Sequence, residues 1–403
     1  MSLKQSLSKH IWNLRFLNKK LKLNWAYLKF SFVKKILPKR HTPVDFSHVK
    51  KILIVRNDKH GDMIATTGFI KALAQAGYEV YISSEKASLD IIEFNPYVKG
   101  VFSYQDKTLK ALYRSIKNIR KMNFDAVIDL KYCRGVYKKN IIFCAFVKSP
   151  ILIGFNKSNI PAYNVSLPYY ELSAHVTTRL PPLLKLFNIE EYDLNYEIYT
   201  TPEMQENTVQ FIEKNLKNDQ KLAIVNPLGG NKSRWLTQQQ LDSTLKLLMP
   251  NYQVVMIGQP SQLQNLSWPD SIPLFQSKSI LEVVPLIERA DLILTVDTSI
   301  VHMASAFSKK TIALYLDLTH GKASNPFRAE YNAKVTKYGT HLLNLLSDAP
   351  YINAQHPDET PPINHLNWSP NNPNADQLIF TYRSFSDIPL AEFESAIQQA
   401  LEE

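Results

Sequence analysis

The chain has 403 residues, of which 45% are hydrophobic and 21% charged, and its formal net charge is +11. Its two cysteines, Cys133 and Cys144, are too few for a disulfide framework and indicate a reducing cytoplasm. The sequence has no apolar run of transmembrane length, no HExxH motif and no dense His/Cys cluster, which argues against a membrane-spanning protein and against a dedicated metal site.

The N-terminal segment, residues 1–40, carries the whole charge excess. It contains eleven Lys and Arg and no Asp or Glu, so residues 41–403 hold 36 basic and 36 acidic groups. Trp, Phe and Leu are interleaved with these cations, as is typical of an amphipathic helix lying on anionic lipid. The alternatives are a nucleic-acid-binding arm, which the aromatic content disfavours, and a basic helix packed on the protein body. We expect residues 1–44 to form a membrane-surface segment that binds no nucleic acid.

The first predicted strand leads directly into a polar turn and a helix. Residues 52–55 form the strand, residues 57–61 the turn and residues 63–73 an amphipathic helix. Asp62 would lie in the first helical turn, where the helix dipole stabilises a carboxylate. The turn lacks the glycine patterns of a dinucleotide fingerprint and of a P-loop. A single Asp here is either a helix cap or a catalytic group.

Short apolar runs alternate with helical stretches along the chain, which predicts parallel sheets covered by helices on both faces. One series of strands predicts an α/β domain over residues 45–200, and a second series predicts another over residues 201–387. The length of the chain suffices for both. Residues 388–403 would end the chain in a helix, with Pro389 in its first turn. The predicted strands are residues 51–55, 79–83, 126–130, 151–154, 222–226, 254–258, 292–296 and 311–315.

The second series opens with a strand that ends in a glycine-rich turn. Gly229 lies in this turn, and Lys232, Arg234 and Trp235 follow before a helix that Thr237 would cap. Cations at such a turn can stabilise the charge that develops on a phosphate leaving group.

A later strand of this half, residues 292–296, runs into Asp297, Thr298 and Ser299 and then into a helix that carries His302. The hydroxyls can cap the helix, and the unpaired N–H groups at its N-terminus favour an anion. This turn is either an ordinary capped connection or the place where an α/β protein holds a phosphate.

Three of these segments, in this order, resemble the lipopolysaccharide heptosyltransferases of glycosyltransferase family 9. They are Arg56-x5-Asp62, the turn within residues 223–241, and Asp-Thr-Ser-x-x-His from Asp297 to His302; residues 125–130 and 175–179 match more weakly. The resemblance spans roughly residues 50–320. It implies a GT-B fold, in which two Rossmann-like domains face each other across a cleft and the C-terminal helix packs back on the first domain.

The resemblance also implies roles for individual residues. Asp62 would be the general base in an inverting, metal-independent transfer. The nucleotide sugar would be the co-substrate, as ADP-heptose, with no other cofactor and no metal. Its binding residues would be Gly229, Lys232, Arg234, Asp297, Thr298, Ser299 and His302.

The sequence departs from the family pattern at three places. Ser233 stands where the family usually has a lysine, so either Lys232 or Arg234 could bind phosphate. Ser299 replaces the glycine of the family's Asp-Thr-Gly motif. Residues 317–321 replace the usual Gly-Pro-Thr turn near the donor sugar, which leaves the identity of that sugar open.

We expect an enzyme that moves heptose from ADP-heptose to the inner core of lipopolysaccharide or lipooligosaccharide, on a lipid A-linked acceptor. It would lie on the cytoplasmic face of the inner membrane. The alternatives are a family 9 transferase that uses another nucleotide sugar, and a catalytically silent sugar- or lipid-binding GT-B protein. Residues 345–375, rich in Pro, Asn and Asp, would form an irregular loop over the cleft, in which Trp368 either lines a pocket or stands in a simple turn.

Overall fold

The computed structural model of this chain describes residues 3–131, 138–169, 171, 173–217, 220–318 and 364–402, and residues 327, 330, 331, 334, 335, 337 and 338. Residues 345–363 of the predicted loop, residues 319–321 of the turn expected near the donor sugar, and Cys133 lie outside these residues. The described residues form an α/β protein with two sheets, and every pairing between neighbouring strands is parallel.

The first sheet has the strand order β3-β2-β1-β4-β5-β6. Its central strand β1 is apolar and buried from its second residue onward, as expected of a parallel strand covered on both faces. The strands are β1 (Lys51–Val55), β2 (Glu79–Ser84), β3 (Val98–Ser103), β4 (Ala126–Asp129), β5 (Ile151–Phe155) and β6 (Val165–Leu167). The helices of this half are α1 (Leu3–Ile36), α2 (His60–Ile64), α3 (Thr67–Gln75), α4 (Lys86–Leu89), α5 (Leu109–Arg120), α6 (Lys138–Phe146) and α7 (Leu180–Leu186), with 3₁₀ turns at Asp90–Ile92 and Val176–Arg179.

The second sheet has the order β11-β10-β9-β7-β8. Its strands are β7 (Lys221–Asn226), β8 (Tyr252–Met256), β9 (Leu292–Val296), β10 (Thr311–Leu316) and β11 (Ala375–Phe380). The helices are α8 (Pro202–Asn215), α9 (Gln238–Leu248), α10 (Pro260–Leu263), α11 (Val284–Arg289), α12 (Ser299–Ala306), α13 (Asn364–Asn367) and α14 (Leu390–Glu402), with 3₁₀ turns at Lys232–Arg234, Leu281–Val283 and Phe385–Asp387. The first sheet ends at Leu167 and the second begins at Lys221, which supports our proposal of a domain boundary near residue 200.

All eight predicted strands are present, with ends displaced by at most two residues. The single helix predicted over residues 63–73 is wrong, because α2 and α3 are separate. The carbonyl oxygen of Asp62 accepts hydrogen bonds from Thr66 Oγ1 at 2.8 Å and from Arg56 Nε at 3.1 Å. The backbone N–H of Thr66 donates to Met63 instead, at 2.9 Å, so the first helix ends after one turn.

One hydrophobic cluster runs without a break from the first half of the chain into the second. It joins Ile52 and Ile54 of β1 to Ile224 of β7, Ile293 of β9 and Met303 of α12. Burial of apolar area is roughly proportional to the free energy gained, so this shared core also holds the two halves in contact.

The prediction that the C-terminal helix packs on the first domain is wrong. α14 packs against α9 of the second half, and its buried residues Phe393 and Ile397 join the same apolar cluster as Ala223 and Val225 of β7. The reason is the short connection between β11 and α14. The chain leaves β11, an edge strand of the second sheet, and Phe385 is already buried beside it, so the nearest apolar surface for α14 is that of the second sheet.

We therefore expect Phe393→Ala to lower the free energy of unfolding by about 3–5 kcal/mol, because it leaves a cavity in the second core. Glu394→Ala, at the exposed neighbouring position, should change it by less than about 0.5 kcal/mol. Urea unfolding measures both. Equal stability of the two variants would show that α14 is not part of this core.

A candidate active site where the two sheets meet

The two motif-bearing segments of the sequence touch each other. α2, which follows β1, packs directly against α12, which follows β9. Gly61 lies under the ring of His302, so closely that a Cβ added at Gly61 would come within 2.8 Å of His302 Cδ2. Only a residue without a side chain permits this contact.

Arg56 organises the side of the site that belongs to the first half. Its side chain is 5% exposed, and its guanidinium contacts two carboxylates, Asp62 at 3.0 Å and Asp58 at 3.2 Å. The ammonium of Lys131 lies 2.8 Å from the other oxygen of Asp58. The Asp62 carboxylate also accepts a hydrogen bond from the backbone N–H of Lys59 at 3.3 Å, which confirms its predicted place in the first turn of the helix.

The two carboxylates have opposite protonation tendencies. Burial raises the pKa of Asp62, and the charge of Asp58 raises it further, against the opposing effect of Arg56. The pKa of Asp58 is lowered, because Arg56 and Lys131 together outweigh its burial. A carboxylate with a raised pKa that keeps an exposed edge has the properties of a general base. Asp62 is such a group, with a side chain 19% exposed.

A small cavity lies beside this cluster. Arg56 and Arg179, each 4% exposed, are the charged residues of its wall. Arg179 donates hydrogen bonds to the carbonyl oxygens of Val176 at 3.2 Å and Leu130 at 3.4 Å. The remaining lining residues are Ala65, Thr66, Leu130, Val176 and Leu180.

The side of the site that belongs to the second half is built around Asp297. Its carboxylate lies 2.5 Å from Nη1 of Arg234. Burial raises the pKa of Asp297, while Arg234 and, from the first half, Lys59 act in the opposite direction. Lys59 is exposed. Cations from both halves of the chain therefore lie around one partly buried carboxylate.

Hydrogen bonds fix the turn that follows β9. Thr298 caps α12, as predicted, by accepting a hydrogen bond from the N–H of Ile300 at 3.2 Å. Asn226, the last residue of β7, donates to the hydroxyl oxygens of Thr298 at 3.1 Å and Thr295 at 2.9 Å. Ser299 is the first residue of α12 and is partly exposed. The carboxyl ends of two neighbouring strands are thereby locked together.

Gly229, Lys232 and Arg234 stand in the turn after β7. A Cβ at Gly229 would meet Arg234 Cβ at 2.5 Å, and the Gly229 carbonyl accepts a hydrogen bond from Trp235 Nε1 at 2.9 Å. Lys232 Nζ lies 5.9 Å from the centre of the Trp235 ring. Arg234 thus pairs with Asp297, whereas Lys232 lies over an aromatic face.

His302 is 3% exposed and lies between the halves. Its ring centre is 6.0 Å from that of Tyr196 and 5.8 Å from that of Trp368. Burial, together with the nearby His175, lowers the pKa of His302 to about 3, so the ring is neutral at pH 7. Among the described residues no group forms a hydrogen bond with its Nδ1. Its predicted contact with a phosphate or sugar hydroxyl stays a proposal.

All eight residues predicted for the site lie in the segments that meet here, but several of their neighbours had not been predicted. Asp58 and Lys59 lie inside the turn that the sequence had marked, and their charges were a usable signal. Lys131 follows β4, which pairs with β1, so the strand order could have indicated it. Tyr196 had no sequence signal. No group of three or more His, Cys, Asp or Glu suited to a metal ion occurs among the described residues.

Comparison with known proteins gives a consistent result. The sequence model of glycosyltransferase family 9 (heptosyltransferase) matches residues 112–342, which includes the residues from Gly229 to His302 and begins after Asp62. An Escherichia coli (strain K12) protein named "Putative lipopolysaccharide heptosyltransferase 4" is 23% identical over 399 residues, or 96% of this chain and 95% of that protein.

Two solved structures share the fold. The glycosyl transferase family 9 protein from Veillonella parvula DSM 2008 is 14% identical, with a TM-score of 0.65, over 90% of this chain and 99% of that one. The E. coli ADP-heptose lps heptosyltransferase II is also 14% identical, with a TM-score of 0.58, over 87% and 98%. The family match covers more than half of the chain, and both solved structures share its fold. The chain therefore belongs to glycosyltransferase family 9, the heptosyltransferase family, and is a glycosyltransferase of the GT-B type.

Proposed function

We propose that this glycosyltransferase moves heptose from ADP-heptose to the lipid A-linked inner core of lipopolysaccharide or lipooligosaccharide, with inversion at the anomeric carbon. The observation that carries the proposal is the packing of α2 against α12. It brings a carboxylate with a raised pKa, Asp62, to the same cleft as the Arg234–Asp297 ion pair. The choice of donor is supported by the similarity to the E. coli ADP-heptose lps heptosyltransferase II.

In the proposed reaction the acceptor hydroxyl oxygen attacks the anomeric carbon of heptose. The bond from that carbon to the diphosphate oxygen breaks, and its electron pair leaves with ADP. Asp62 takes the hydroxyl proton, since its carboxylate keeps an exposed edge while Arg56 holds it in place. A pKa raised towards the working pH makes the carboxylate a better base than an ordinary surface Asp.

The leaving diphosphate gains negative charge as the bond breaks. Arg234, Lys232 and the N-terminus of α12 behind Thr298 are preorganised positive groups that would stabilise this charge. Cationic side chains can serve here in place of a divalent ion. Ser299 and His302 complete the proposed donor site, with Gly229 allowing the basic turn to fold closely on itself.

The acceptor is lipid-linked in this proposal, so the enzyme would work at the cytoplasmic face of the inner membrane as a peripheral protein. Among the described residues no helix is both long and apolar enough to cross a membrane. Residues 1–40, with eleven cations and no carboxylate, supply a basic surface for anionic lipid.

Asp62→Asn tests the proposed base. Turnover should fall by about 10²–10⁴-fold, because the amide cannot accept the hydroxyl proton, while ADP binding and the unfolding midpoint stay near those of the parent. Transfer from ADP-heptose to delipidated core acceptor is the activity to measure. Asp106→Asn, outside the site, is the matched control and should keep full activity. Parental turnover in Asp62→Asn would exclude Asp62 as the base.

The pH dependence of kcat/KM tests the charges around that base. The ionised carboxylate is the active form, so activity is lost as pH falls through its pKa. Asp58→Asn removes a like charge, which should lower the pKa of Asp62 and move the acid limb to lower pH. Arg56→Gln removes the opposing cation and should move the limb to higher pH. Shifts in the same direction, or none, would contradict this arrangement.

Titration with ADP tests the donor site. Lys232→Ala and Arg234→Ala should each weaken ADP binding by roughly 1.5–3 kcal/mol, the range for hydrogen bonds to charged groups. The loss should be larger for Arg234→Ala, because it also leaves the Asp297 carboxylate without its closest cation. Lys246→Ala, an exposed lysine on α9, is the control and should bind as the parent does. Unchanged affinity in both site variants would place the diphosphate elsewhere.

A further inference from the structure

Helix α1 has one apolar face that is committed to the protein. Phe30 is 1% exposed and belongs to a core cluster of the first half together with Leu37, just beyond the helix. Trp12, about five turns earlier and therefore on the same face, packs its ring 5.3 Å from that of Tyr331. Lys20 lies over the ring of Tyr338 at 5.0 Å. The helix therefore contacts both the first half of the chain and the residues that follow β10.

Arg40 fixes the chain directly after this helix. Its guanidinium donates hydrogen bonds to the carbonyl oxygens of Ser149 at 2.9 Å, Ala162 at 2.7 Å and Val147 at 3.1 Å. Three such bonds to carbonyls of the first half leave α1 little freedom to change its orientation. The face of α1 that points away from the protein is thus also fixed.

That outward face is apolar along the length of α1. Its members recur at spacings of three, four and seven residues, which places them on one side of the helix, about half a turn from Phe30. They are between 42% and 68% exposed. We call them the α1 stripe: Ile11, Leu14, Leu21, Trp25, Leu28 and Phe32.

Cations border the α1 stripe and carboxylates do not. Lys22 and Lys29 follow stripe residues directly in sequence and are exposed, and so are Arg15 and Lys35. Residues 1–40 contain no Asp or Glu. An apolar stripe flanked by cations, with a Trp among its members, matches the two layers of an anionic bilayer surface, the acyl boundary and the phosphate headgroups.

We propose that the α1 stripe inserts into the surface of an anionic membrane as an interfacial helix, while the opposite face of α1 stays packed on the protein. The inference rests on the proposed function for its biological reason, a lipid-linked acceptor, and names the surface and the face that do the binding. The apolar side chains enter the boundary between headgroups and acyl chains, and Lys22 and Lys29 stay at phosphate level.

A second copy of the chain suits the stripe less well. Stable pairing of two helices through such a seam relies on opposite charges beside it. Two α1 helices would bring eleven cations each within residues 1–40 and no carboxylate to pair with them. Their mutual repulsion would oppose association, whereas the same charges favour anionic lipid.

The experiment compares two matched double variants of the full chain. Leu21→Ser with Trp25→Ser removes two stripe residues that are 68% and 61% exposed; Val209→Ser with Met249→Ser removes two exposed apolar residues of the second half. Binding is measured by co-sedimentation with vesicles of phosphatidylethanolamine and phosphatidylglycerol. The stripe variant should bind at least about tenfold more weakly, equivalent to about 1.4 kcal/mol, and the control within about twofold of the parent.

Two further measurements complete the test. Lys22→Gln and Lys29→Gln should each weaken binding about fivefold at low salt, as expected for about 1 kcal/mol per cation, and less at high salt. Unchanged ADP binding by the stripe variant shows that it is folded. If the stripe variant binds vesicles as tightly as the parent does, the proposal is wrong. It is also wrong if the parent is a dimer and the stripe variant is a monomer that still binds vesicles normally.

The failure of this inference can be told apart from a failure of the proposed function. The parent and the stripe variant should transfer heptose equally well to delipidated acceptor without vesicles. If neither does, the proposed function is wrong, while weaker vesicle binding by the stripe variant would still support the stripe. If both do and vesicle binding is unchanged, only the inference about the stripe is wrong.

Discussion

The packing of α2 against α12 is the contact on which the candidate site depends. Parallel strands bring their carboxyl ends to one edge of a sheet, and here the helices that follow β1 and β9 at those edges pack against each other. Gly61 lets the two helices meet, because any larger residue would collide with His302. An apolar core shared by both halves supports the same contact. One glycine therefore determines how closely Asp62 can approach the donor side of the cleft.

The charged side chains near this contact are arranged as ion pairs. Arg56 pairs with the carboxylates of Asp58 and Asp62. Lys131 also pairs with Asp58, and Arg234 pairs with Asp297. Burying a charge without a partner costs several kcal/mol per ion, so these pairs reduce the destabilisation that the buried charges would otherwise cause. The number of cations near each carboxylate also gives Asp58 and Asp62 different pKa values. Asp58 has two cations and a lowered pKa, whereas Asp62 shares one cation and has a raised pKa.

The N-terminal helix has features of both roles that its sequence left open. A basic helix packed on the protein body and a helix available to lipid had been alternatives, and α1 has a face suited to each. This is possible because a helix of 34 residues presents apolar residues at two phases of its 3.6-residue period. Composition records how many apolar residues a segment has, but their division between faces is visible only when its neighbours are in place.

The sequence by itself determined the family, the alternation of strands and helices, and the turns that carry Asp62 and Asp297, since these depend on local patterns. It missed the strands β3, β6 and β11, which lie at sheet edges and lack a continuous buried run. It also placed the C-terminal helix on the wrong domain. Tertiary structure alone decided that packing, the pairing of Arg56 with Asp58 and Asp62, and the burial of His302 beside Tyr196. These features join residues far apart in the chain or depend on burial, and neither a motif nor a period encodes which surfaces meet.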